Sequence, residues 1–359
     1  MKKKRTSCYS RLSLSLLVFF LFVCSNPMES GMLTIEISRQ SNPPVTLSDI
    51  SKAVKLVQLE TSESSLLSIV QDIKLFDDKF YVVDMAGKIL VFDTQGSFLY
   101  ILGRQGNGPG EYTYISSMTI DSTSSLIYVA SGRKLLAYSV DNKFVAEEVL
   151  PVFLDYLDVF DRKLWAIAQL NGVRTEEGYV NQTTLLEINP SLEVADSVSL
   201  RRVVLENQTA ANYPYKYFIS DIVNDRYLYT PVLTNEKILR DTLYQLVDKV
   251  LIPYAKFNFE KPHLNEKGDK TIWIKNMVNS ASYIVCEYDS EEDNMLFLYS
   301  KANSKGYNMK GGFLDDHGDL VFLRPLDPAN DIFYYVQAAA YSDSATEELN
   351  PTIGIVALK

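Results

Sequence analysis

Residues able to carry out chemistry are scarce in this chain of 359 residues. It has two histidines, His263 and His317, and three cysteines. His317 follows Asp315 and Asp316 in the only acid–histidine cluster, but a hairpin turn explains these three residues without chemistry. His263 lies in a predicted loop without evident partners. Because histidine is the usual general base near neutral pH and a common metal ligand, we expect no His-based catalysis, no metal site and no cofactor.

The three cysteines do not indicate catalysis either. Cys8 lies in the predicted signal segment and Cys24 at its expected cleavage point, so the remaining chain keeps only Cys286. A single cysteine forms no internal disulfide bond. Cys286 ends the apolar run Tyr-Ile-Val-Cys, which predicts a buried strand residue rather than a nucleophile, since the sequence offers no Cys–His pairing.

Recognisable catalytic motifs are missing from the sequence. It contains no Gly-x-Ser-x-Gly elbow, no His-Glu-x-x-His helix and no Cys-x-x-Cys pair. A pair of carboxylates for glycoside hydrolysis stays open, because such partners can be far apart along the chain. The acidic run 289–294 has oxygen ligands that suit calcium, but it lacks the spacing and the glycine of an EF-hand loop. We expect a solvated hairpin tip there.

A glycine-rich segment, residues 103–110, has the composition of a phosphate-binding loop. Dinucleotide loops have a strand before the glycines and a helix N-terminus after them. Here residues 114–120 have the pattern of a strand, and Pro109 removes an N–H group. The segment is better explained as a tight crossover between strands, tied down by hydrogen bonds of Glu111 or Tyr112. The predicted crossover residues are Gly106, Gly108, Pro109, Gly110, Glu111 and Tyr112.

The N-terminus has the features of an export signal. A basic start is followed by residues 12–23, which are apolar except for two serines and too short for a membrane-spanning helix of about 20 residues. Cys24 follows at once, as in a bacterial lipobox, where the cysteine is lipidated and becomes the new N-terminus. Val23 departs from that pattern, which usually has Gly, Ala or Ser before the cysteine. The alternative is a buried, unmodified cysteine.

These features divide the chain into three parts. Residues 1–23 are predicted to be a signal peptide, residues 24–50, rich in Ser, Pro and Asn, a tether for the lipid anchor, and residues 51–359 the folded domain. Removal of residues 1–23 leaves 30 basic and 45 acidic residues, so the formal charge changes from −10 to −15. An acidic chain argues against nucleic-acid binding, which depends on Lys and Arg at phosphates.

Strand-like runs of four to eight residues, broken by Asp, Asn and Gly, fill the sequence from residue 54 onward. The hairpin pattern of residues 76–81 recurs at 160–165, 222–227 and 314–322, with a degenerate copy at 283–299. Six units over residues 54–359 have about 51 residues each, close to the period of a four-stranded propeller blade. We therefore predict an all-β, six-bladed β-propeller with four-stranded antiparallel blades. Its ring is closed by the N-terminal strand 54–59 and the C-terminal strand 352–358.

Residues 92–112 resemble those of a known family, above all in the run Gly-Pro-Gly-Glu-Tyr at 108–112. The similar proteins are six-bladed β-propeller lipoproteins of the Bacteroidetes, related in architecture to NHL and TolB-type propellers. Weaker matches follow in the same order along the chain: residues 57–61, 241–244, 253–254, 312–316 and 350–351. The resemblance implies a propeller fold and a location in the cell envelope. It implies no established activity.

The predicted fold, the export signal and the family resemblance together suggest a function. We expect an exported, lipid-anchored propeller in the periplasm or at the outer membrane or cell surface. It would act as a monomeric binding scaffold for an envelope protein, a peptide or a glycan, with no nucleic-acid partner. Arg104, Glu111 and Tyr112 should lie where one blade passes to the next, near the rim of the channel, and are the predicted ligand-binding residues. The alternatives are a hydrolase or lyase acting on a glycan or peptide at the channel, and a sensor or assembly partner of another envelope protein.

Overall fold

The computed structural model describes residues 31–291, 293–338 and 349–359. Cys8, Cys24 and the predicted signal peptide 1–23 lie outside these residues. The N-terminal part of the described chain contains strand β1 (Leu33–Ile37), the one-turn helix α1 (Leu47–Ile50) and strand β2 (Ser51–Gln58). Six sheets follow around a ring, and we number these blades in chain order.

Blade 1 contains β3 (Val70–Phe76), β4 (Lys79–Asp84), β5 (Lys88–Asp93) and β6 (Phe98–Ile101). The short strands β7 (Arg104–Gln105) and β8 (Glu111–Tyr112) precede blade 2, which contains β9 (Ser117–Asp121), β10 (Leu126–Ser131), β11 (Lys134–Ser139) and β12 (Phe144–Val149). Blade 3 contains β13 (Tyr156–Phe160), β14 (Lys163–Thr175), β15 (Gly178–Ile188) and β16 (Val194–Leu205).

Blade 4 contains β17 (Ile219–Ile222), β18 (Asp225–Leu228), β19 (Thr242–Val247) and β20 (Val250–Phe259). Blade 5 contains β21 (Ile272–Asn279), β22 (Tyr283–Ser290), β23 (Asp293–Ser300) and β24 (Lys305–Lys310). A small hairpin of β25 (Phe313–Leu314) and β26 (Leu320–Val321) comes before blade 6. Blade 6 is built from β27 (Arg324–Asp327), a 3₁₀ turn (Pro328–Asn330), β28 (Ile332–Gln337), β29 (Thr352–Leu358) and the N-terminal β2.

Blade 6 closes the ring in the way that the sequence predicts. Its strand order is β2-β29-β28-β27, and β2 pairs antiparallel with β29 from Gln58 opposite Thr352 to Ser51 opposite Leu358. The last blade therefore needs both ends of the folded domain. The all-β class, the six blades and the closure by N- and C-terminal strands are confirmed.

The central strands of each blade are apolar over their whole length because both of their faces are covered. In β4, residues Phe80, Tyr81, Val82 and Val83 are all fully buried, although their side chains point alternately to opposite faces. One face packs toward the core that blade 1 shares with blade 6, and the other toward the core shared with blade 2. Burial on both faces thus explains continuous apolar runs in an antiparallel sheet, where strict alternation would be expected if one face met water.

The repeated hairpins share the same type of two-residue turn between their strands. Both turn residues have positive φ at Asp77 and Asp78 (50° and 54°), and again at 161–162 and 223–224. Positive φ at both positions is the geometry of a type I′ turn, which Asp and Asn tolerate better than most residues. The first hairpins of blades 1, 3 and 4 therefore account for the pattern that recurs at residues 76–81, 160–165 and 222–227.

The match at residues 314–322 has a different explanation. These residues form the separate hairpin β25–β26 in the connection between blades 5 and 6, while the first hairpin of blade 6 turns at residues 328–331. The Asp315 carboxylate accepts hydrogen bonds from the N–H groups of His317 and Asp319, both at 2.9 Å. Asp315 thus stabilises a turn whose sequence is similar to that of a blade hairpin.

Residues 33–50 belong to the propeller and do not form a tether. Strand β1 adds a fifth strand to blade 4, parallel to β20, and Ile35 and Ile37 are buried in the core between blades 4 and 5. Leu47 and Ile50 of α1 are buried between blades 5 and 6. The alternation of Leu33, Ile35 and Ile37 carries this strand signal, which the Ser-, Pro- and Asn-rich composition of the segment obscures.

The channel is surrounded by the first strand of each blade, β3, β9, β13, β17, β21 and β27. Antiparallel pairing places two kinds of connection on one side of the ring: those from the last strand of a blade to the next blade, and those from the second to the third strand. We call this side the upper face. In residues 31–291, 293–338 and 349–359, no helix has the length and apolar character required to span a membrane.

Candidate functional site at the channel mouth

The glycine-rich crossover, residues 103–112, is tied together by its own residues. The Glu111 carboxylate accepts hydrogen bonds from the Gly108 N–H at 2.9 Å and from the Arg104 Nε at 2.7 Å. These two partners, the Gly108 N–H first, lower the pKa of Glu111. Gly106 has no space for a Cβ, which would meet the Glu111 carboxylate. Tyr112 is buried, and its hydroxyl donates to the Leu102 carbonyl.

The sequence predicts that this crossover lies near the channel rim. In the structure it lies away from the rim. Lys134 of β11 donates to the carbonyls of Gly108 and Glu111, and the Gly110 N–H donates to Glu147 of β12. Strands β11 and β12 are the outer two of blade 2, so the loop covers the outer half of that blade. Ligand binding by Arg104, Glu111 and Tyr112 stays a prediction, but the Tyr112 hydroxyl and the Glu111 carboxylate already have partners in the protein.

The channel mouth is instead crossed by the connection between blades 3 and 4, residues 206–218. Its carbonyl at Pro214 accepts from Gln71 of blade 1, and Lys216 forms an ion pair of 2.8 Å with Asp155. The Tyr217 hydroxyl lies 3.1 Å from that of Tyr334 in blade 6. The connection therefore contacts blades on opposite sides of the ring. We call residues 213–218, Tyr-Pro-Tyr-Lys-Tyr-Phe, the tyrosine plug.

A buried ion pair fixes the tyrosine plug to blades 5 and 6. Arg324 of β27 donates to both carboxylate oxygens of Glu287 in β22, from Nη1 at 2.6 Å and from Nη2 at 3.3 Å. The side chains are 13% and 7% exposed. Glu287 also accepts from Asn276 at 2.8 Å and from the Tyr213 hydroxyl. Burial raises the pKa of Glu287, but the charge and hydrogen bonds of Arg324 outweigh it and leave the pKa below its usual range.

Aromatic rings surround the Arg324 guanidinium. Its central carbon lies 4.2 Å from the ring centre of Tyr215, 6.0 Å from that of Tyr217 and 5.9 Å from that of Phe322. A planar cation stacks favourably on such rings. Arg324 is thus held by one carboxylate and by rings from both the tyrosine plug and the connection before blade 6.

Beside this ion pair the upper face has an opening with a volume of about 400 Å³. We call it the mouth cleft. Its walls are mainly apolar, and the exposed Ile69 and Leu320 are 54% and 55% accessible to solvent. The lining also contains one charged group, Arg324, and two tyrosine hydroxyls, of Tyr215 and Tyr334. The complete lining is Leu67, Ser68, Ile69, Val70, Tyr215, Leu320, Val321, Phe322, Arg324, Tyr334, Val336, Ala338, Leu349 and Pro351.

A second opening on the other side of the tyrosine plug is narrow and polar. It has a volume of about 30 Å³, which is room for about two water molecules. The buried Glu236 pairs there with Arg201, and its carboxylate also accepts from Asn181 at 3.0 Å and Thr234 at 2.7 Å. This network joins the long strands of blade 3 to the 229–241 connection. Its polar groups already bond one another, so we assign it a structural role.

Charged side chains also line the channel below the plug. Lys74 of β3 pairs with Asp72 at 3.1 Å, and Asp158 of β13 faces the same cation. Burial raises the pKa of Asp158 to about 7, an effect that Lys74 opposes and the nearby Asp221 increases. The channel therefore contains a carboxyl group that titrates near neutral pH.

Stability should depend on this titration. The folded pKa of Asp158 lies above the unfolded value of 3.8, so folded protein binds the extra proton between about pH 4 and pH 7 and loses stability as the pH rises through that range. We expect Asp158→Asn to remove this loss. At pH 8 the free energy of unfolding of the variant should exceed that of the wild type by on the order of 2 kcal/mol. Urea unfolding at pH 5 and pH 8 measures it. Asp141→Asn, at an exposed position, serves as the control, and equal pH dependence in all three proteins contradicts the prediction.

The remaining predicted residues are placed as follows. Cys286 is a free, fully buried cysteine of β22, and burial raises the pKa of its thiol. The described residues of the acidic run lie at the end of β22 and the start of β23, with Ser290 opposite Asp293. In the described part of the chain, no three His, Cys, Asp or Glu side chains come close enough to hold a metal ion.

The residues that build the mouth were missed by the sequence analysis. Arg324 and Glu287 have no motif around them, and they meet only because blades 5 and 6 are neighbours. The tyrosine plug did carry a signal, because three tyrosines, a proline and a phenylalanine within residues 213–218 form an aromatic run outside the strand pattern. An aromatic run in a long connection between blades could have marked the channel mouth.

Fold and site together define a six-bladed β-propeller in which an aromatic connection crosses the channel mouth on the upper face, beside a mainly apolar cleft. The chain belongs to the family described as Domain of unknown function (DUF4934), whose model matches residues 32–356. No curated protein matches the sequence.

Solved structures with a similar fold come from several sources. The crystal structure of BF0058 from Bacteroides fragilis NCTC 9343, which its name describes as an exported protein, superposes with a TM-score of 0.66 at 17% identity, covering 91% of this chain and 99% of that one. The WD40 domain of Neurospora crassa Pan2 has a TM-score of 0.43 at 9% identity, covering 80% and 74% of the two chains. BamB from Moraxella catarrhalis has a TM-score of 0.39 at 12% identity, covering 79% and 75%.

Proposed function

We propose that this protein is an exported, lipid-anchored binding module of the cell envelope, and that its peptide or glycan ligand occupies the mouth cleft. The observation that carries the proposal is the cleft itself. Its volume of about 400 Å³ lies within the range of ligand sites, about 300–1,000 Å³. Such sites combine mainly apolar walls with a few fixed polar groups, and here Arg324 and Tyr215 are those groups.

Export is supported by the N-terminal sequence and by the similarity to a Bacteroides protein described as exported. The envelope location and the absence of nucleic-acid partners, cofactors and oligomers stay predictions. A hydrolase or lyase is the alternative. Among the described residues that line the cleft there is no carboxylate, histidine or thiol, so binding is the function that this lining supports better.

Binding is tested with the mature protein on peptide and glycan arrays, followed by titration calorimetry of each hit. We expect a hit whose affinity falls when both Ile69 and Leu320 are changed to Asp. The matched control is Val223→Asp, an equally apolar and 75% exposed residue in the first turn of blade 4, on the opposite face. Turnover of a hit would favour the enzyme, and affinities that are equal in all three proteins would exclude the cleft as the site.

The anchor has its own test. In cells fed radiolabelled palmitate, we expect label on the wild-type protein and none on Cys24→Ala, because a lipobox cysteine carries the acyl chains. The variant should also leave the membrane fraction. Ser25→Ala, one residue further on, is the control and should be labelled normally. An unlabelled wild-type protein would refute the anchor while leaving the proposed binding site untouched.

A further inference from the structure

The walls of the mouth cleft come from four separate segments that converge with apolar side chains. Ile69 ends the connection into blade 1, Leu320 lies in β26, Val336 in β28 and Leu349 directly before β29. All four are more than a third exposed. Single exposed apolar residues are ordinary on a protein surface, but several around one concave opening mark a surface that is covered by another molecule.

The polar groups of the cleft are few, and most of them are occupied. The Ser68 hydroxyl donates to Asp84 at 2.5 Å, and the Tyr334 hydroxyl bonds that of Tyr217. Arg324 uses one Nη1 hydrogen and its Nη2 group on Glu287 and Tyr213. Within the described residues, its Nε hydrogen, its second Nη1 hydrogen and the Tyr215 hydroxyl have no partner. The cleft therefore offers a ligand two cationic donor hydrogens of Arg324, and its side-chain acceptors are hydroxyl oxygens only.

The charge of these donors is already balanced. Glu287 binds the guanidinium through both carboxylate oxygens, and no other charged side chain is among the described residues that line the cleft. A ligand carboxylate would place a second negative charge beside a buried pair of zero net charge, at a cost in desolvation. A neutral carbonyl oxygen accepts the same hydrogen bonds without that cost.

The same inventory disfavours sugars. Each sugar hydroxyl is a donor as well as an acceptor, so a bound glycan needs protein acceptors for its hydrogens. Among the described lining side chains, the only acceptors are the hydroxyl oxygens of Ser68, Tyr215 and Tyr334, with no carboxylate or amide oxygen. Several hydroxyls of a buried sugar would stay unpaired, and an unpaired buried polar group costs affinity.

We propose that the mouth cleft binds a short apolar peptide segment in which backbone carbonyl groups accept hydrogen bonds from Arg324. The apolar side chains of the segment lie against Ile69, Leu320 and Val336, and one peptide N–H donates to the Tyr215 hydroxyl. This inference rests on the proposed function and narrows its ligand to one class. The backbone carbonyls of such a peptide match the Arg324 donors, and its apolar side chains match the apolar walls of the cleft. Neither kind of group adds charge.

Defined probes test the ligand class. The first is a C-amidated tetrapeptide of alternating Val and Leu with a fluorophore on its N-terminal amine, the second the same labelled peptide with a free C-terminal carboxylate, and the third a fluorescent chitohexaose. Binding to the full mature protein is followed by fluorescence polarisation. We expect the amidated peptide to bind and to lose at least about tenfold in affinity with Ile69→Asp or with Leu320→Asp, since each places a charge on an apolar wall. Val223→Asp should change nothing.

Arg324→Lys probes the carbonyl contact. Lysine keeps a positive charge opposite Glu287 but lacks the planar fork of donors. We expect about tenfold weaker binding of the amidated peptide, measured at a temperature where circular dichroism shows the variant folded. If the variant does not fold, the two wall variants decide the matter, because their positions are exposed in the wild-type protein.

The outcomes separate this inference from the proposed function. Chitohexaose binding that is lost in the wall variants, with no peptide binding, overturns the peptide inference and leaves the proposed function standing. Tighter binding of the free-acid peptide than of the amidated one overturns the carbonyl argument. If none of the three probes responds to the wall variants, both the ligand class and the cleft as binding site are wrong.

Discussion

Replacing Glu287 with alanine should lower the free energy of unfolding by about 3–5 kcal/mol. The variant leaves the Arg324 guanidinium buried without its carboxylate, and removing one partner of a buried pair exposes the full cost of the other charge. It also frees Asn276 and the Tyr213 hydroxyl, which bond the same carboxylate. Urea unfolding followed by tyrosine and tryptophan fluorescence measures the loss.

A surface ion pair provides the control for this prediction. Arg202 and Glu177 lie 2.8 Å apart with side chains that are 46% and 63% exposed, so Glu177→Ala should cost less than about 1 kcal/mol. The double variant Glu287→Met with Arg324→Met should recover much of the loss, because it removes both buried charges and restores volume. A loss below about 1 kcal/mol for Glu287→Ala would mean that Arg324 finds water or another partner, and that the pair does not hold the tyrosine plug.

The blades could be predicted because their signals are local. A turn such as Asp77-Asp78 lies directly between two strands, so a short window contains the whole hairpin. The crossover at Gly106 to Glu111 is equally local, and its closing hydrogen bonds span only a few residues. Because a short window is enough to match the pattern, residues 314–322 are wrongly matched to a blade hairpin. The turn around Asp315 has the hairpin pattern but belongs to no blade sheet.

The site could not be predicted because its partners are distant along the chain. Glu287 and Arg324 are 37 residues apart, and Tyr213 precedes Glu287 by 74. They meet through the packing of three blades around the ring, which depends on closure by β2 and β29. Strand β1 shows the same limit: residues 33–37 are predicted to be part of a tether, and nothing near them in the sequence indicates the strand β20 of blade 4 with which they pair.

Asn350 shows how the ring closure positions the cleft, and its replacement is the second large effect that we expect. Its side chain is buried and makes three hydrogen bonds to the connection between β2 and blade 1: it accepts from the Leu67 N–H at 2.8 Å and donates to the carbonyls of Glu60 and Ser65 at 2.6 and 2.8 Å. Asn350→Ala takes this partner from the Leu67 N–H and the Ser65 carbonyl, leaves the Glu60 carbonyl with the Ser65 hydroxyl alone, and should cost about 2–4 kcal/mol in urea unfolding. Asn303→Ala, at an exposed turn, is the control.

Asn350→Asp distinguishes a hydrogen-bonding role from simple loss of packing. The aspartate would keep the acceptor for Leu67 but turn a negative oxygen toward two carbonyl groups, so its folded pKa should rise above the unfolded value near 3.9. A raised folded pKa gives stability at low pH that is lost as the pH increases. The variant should therefore approach the wild type at pH 4 and fall below it by more than about 1 kcal/mol at pH 8. Because Leu67 lines the mouth cleft, peptide binding should weaken over the same pH range, whereas pH-independent unfolding of this variant would show that Asn350 acts through its volume alone.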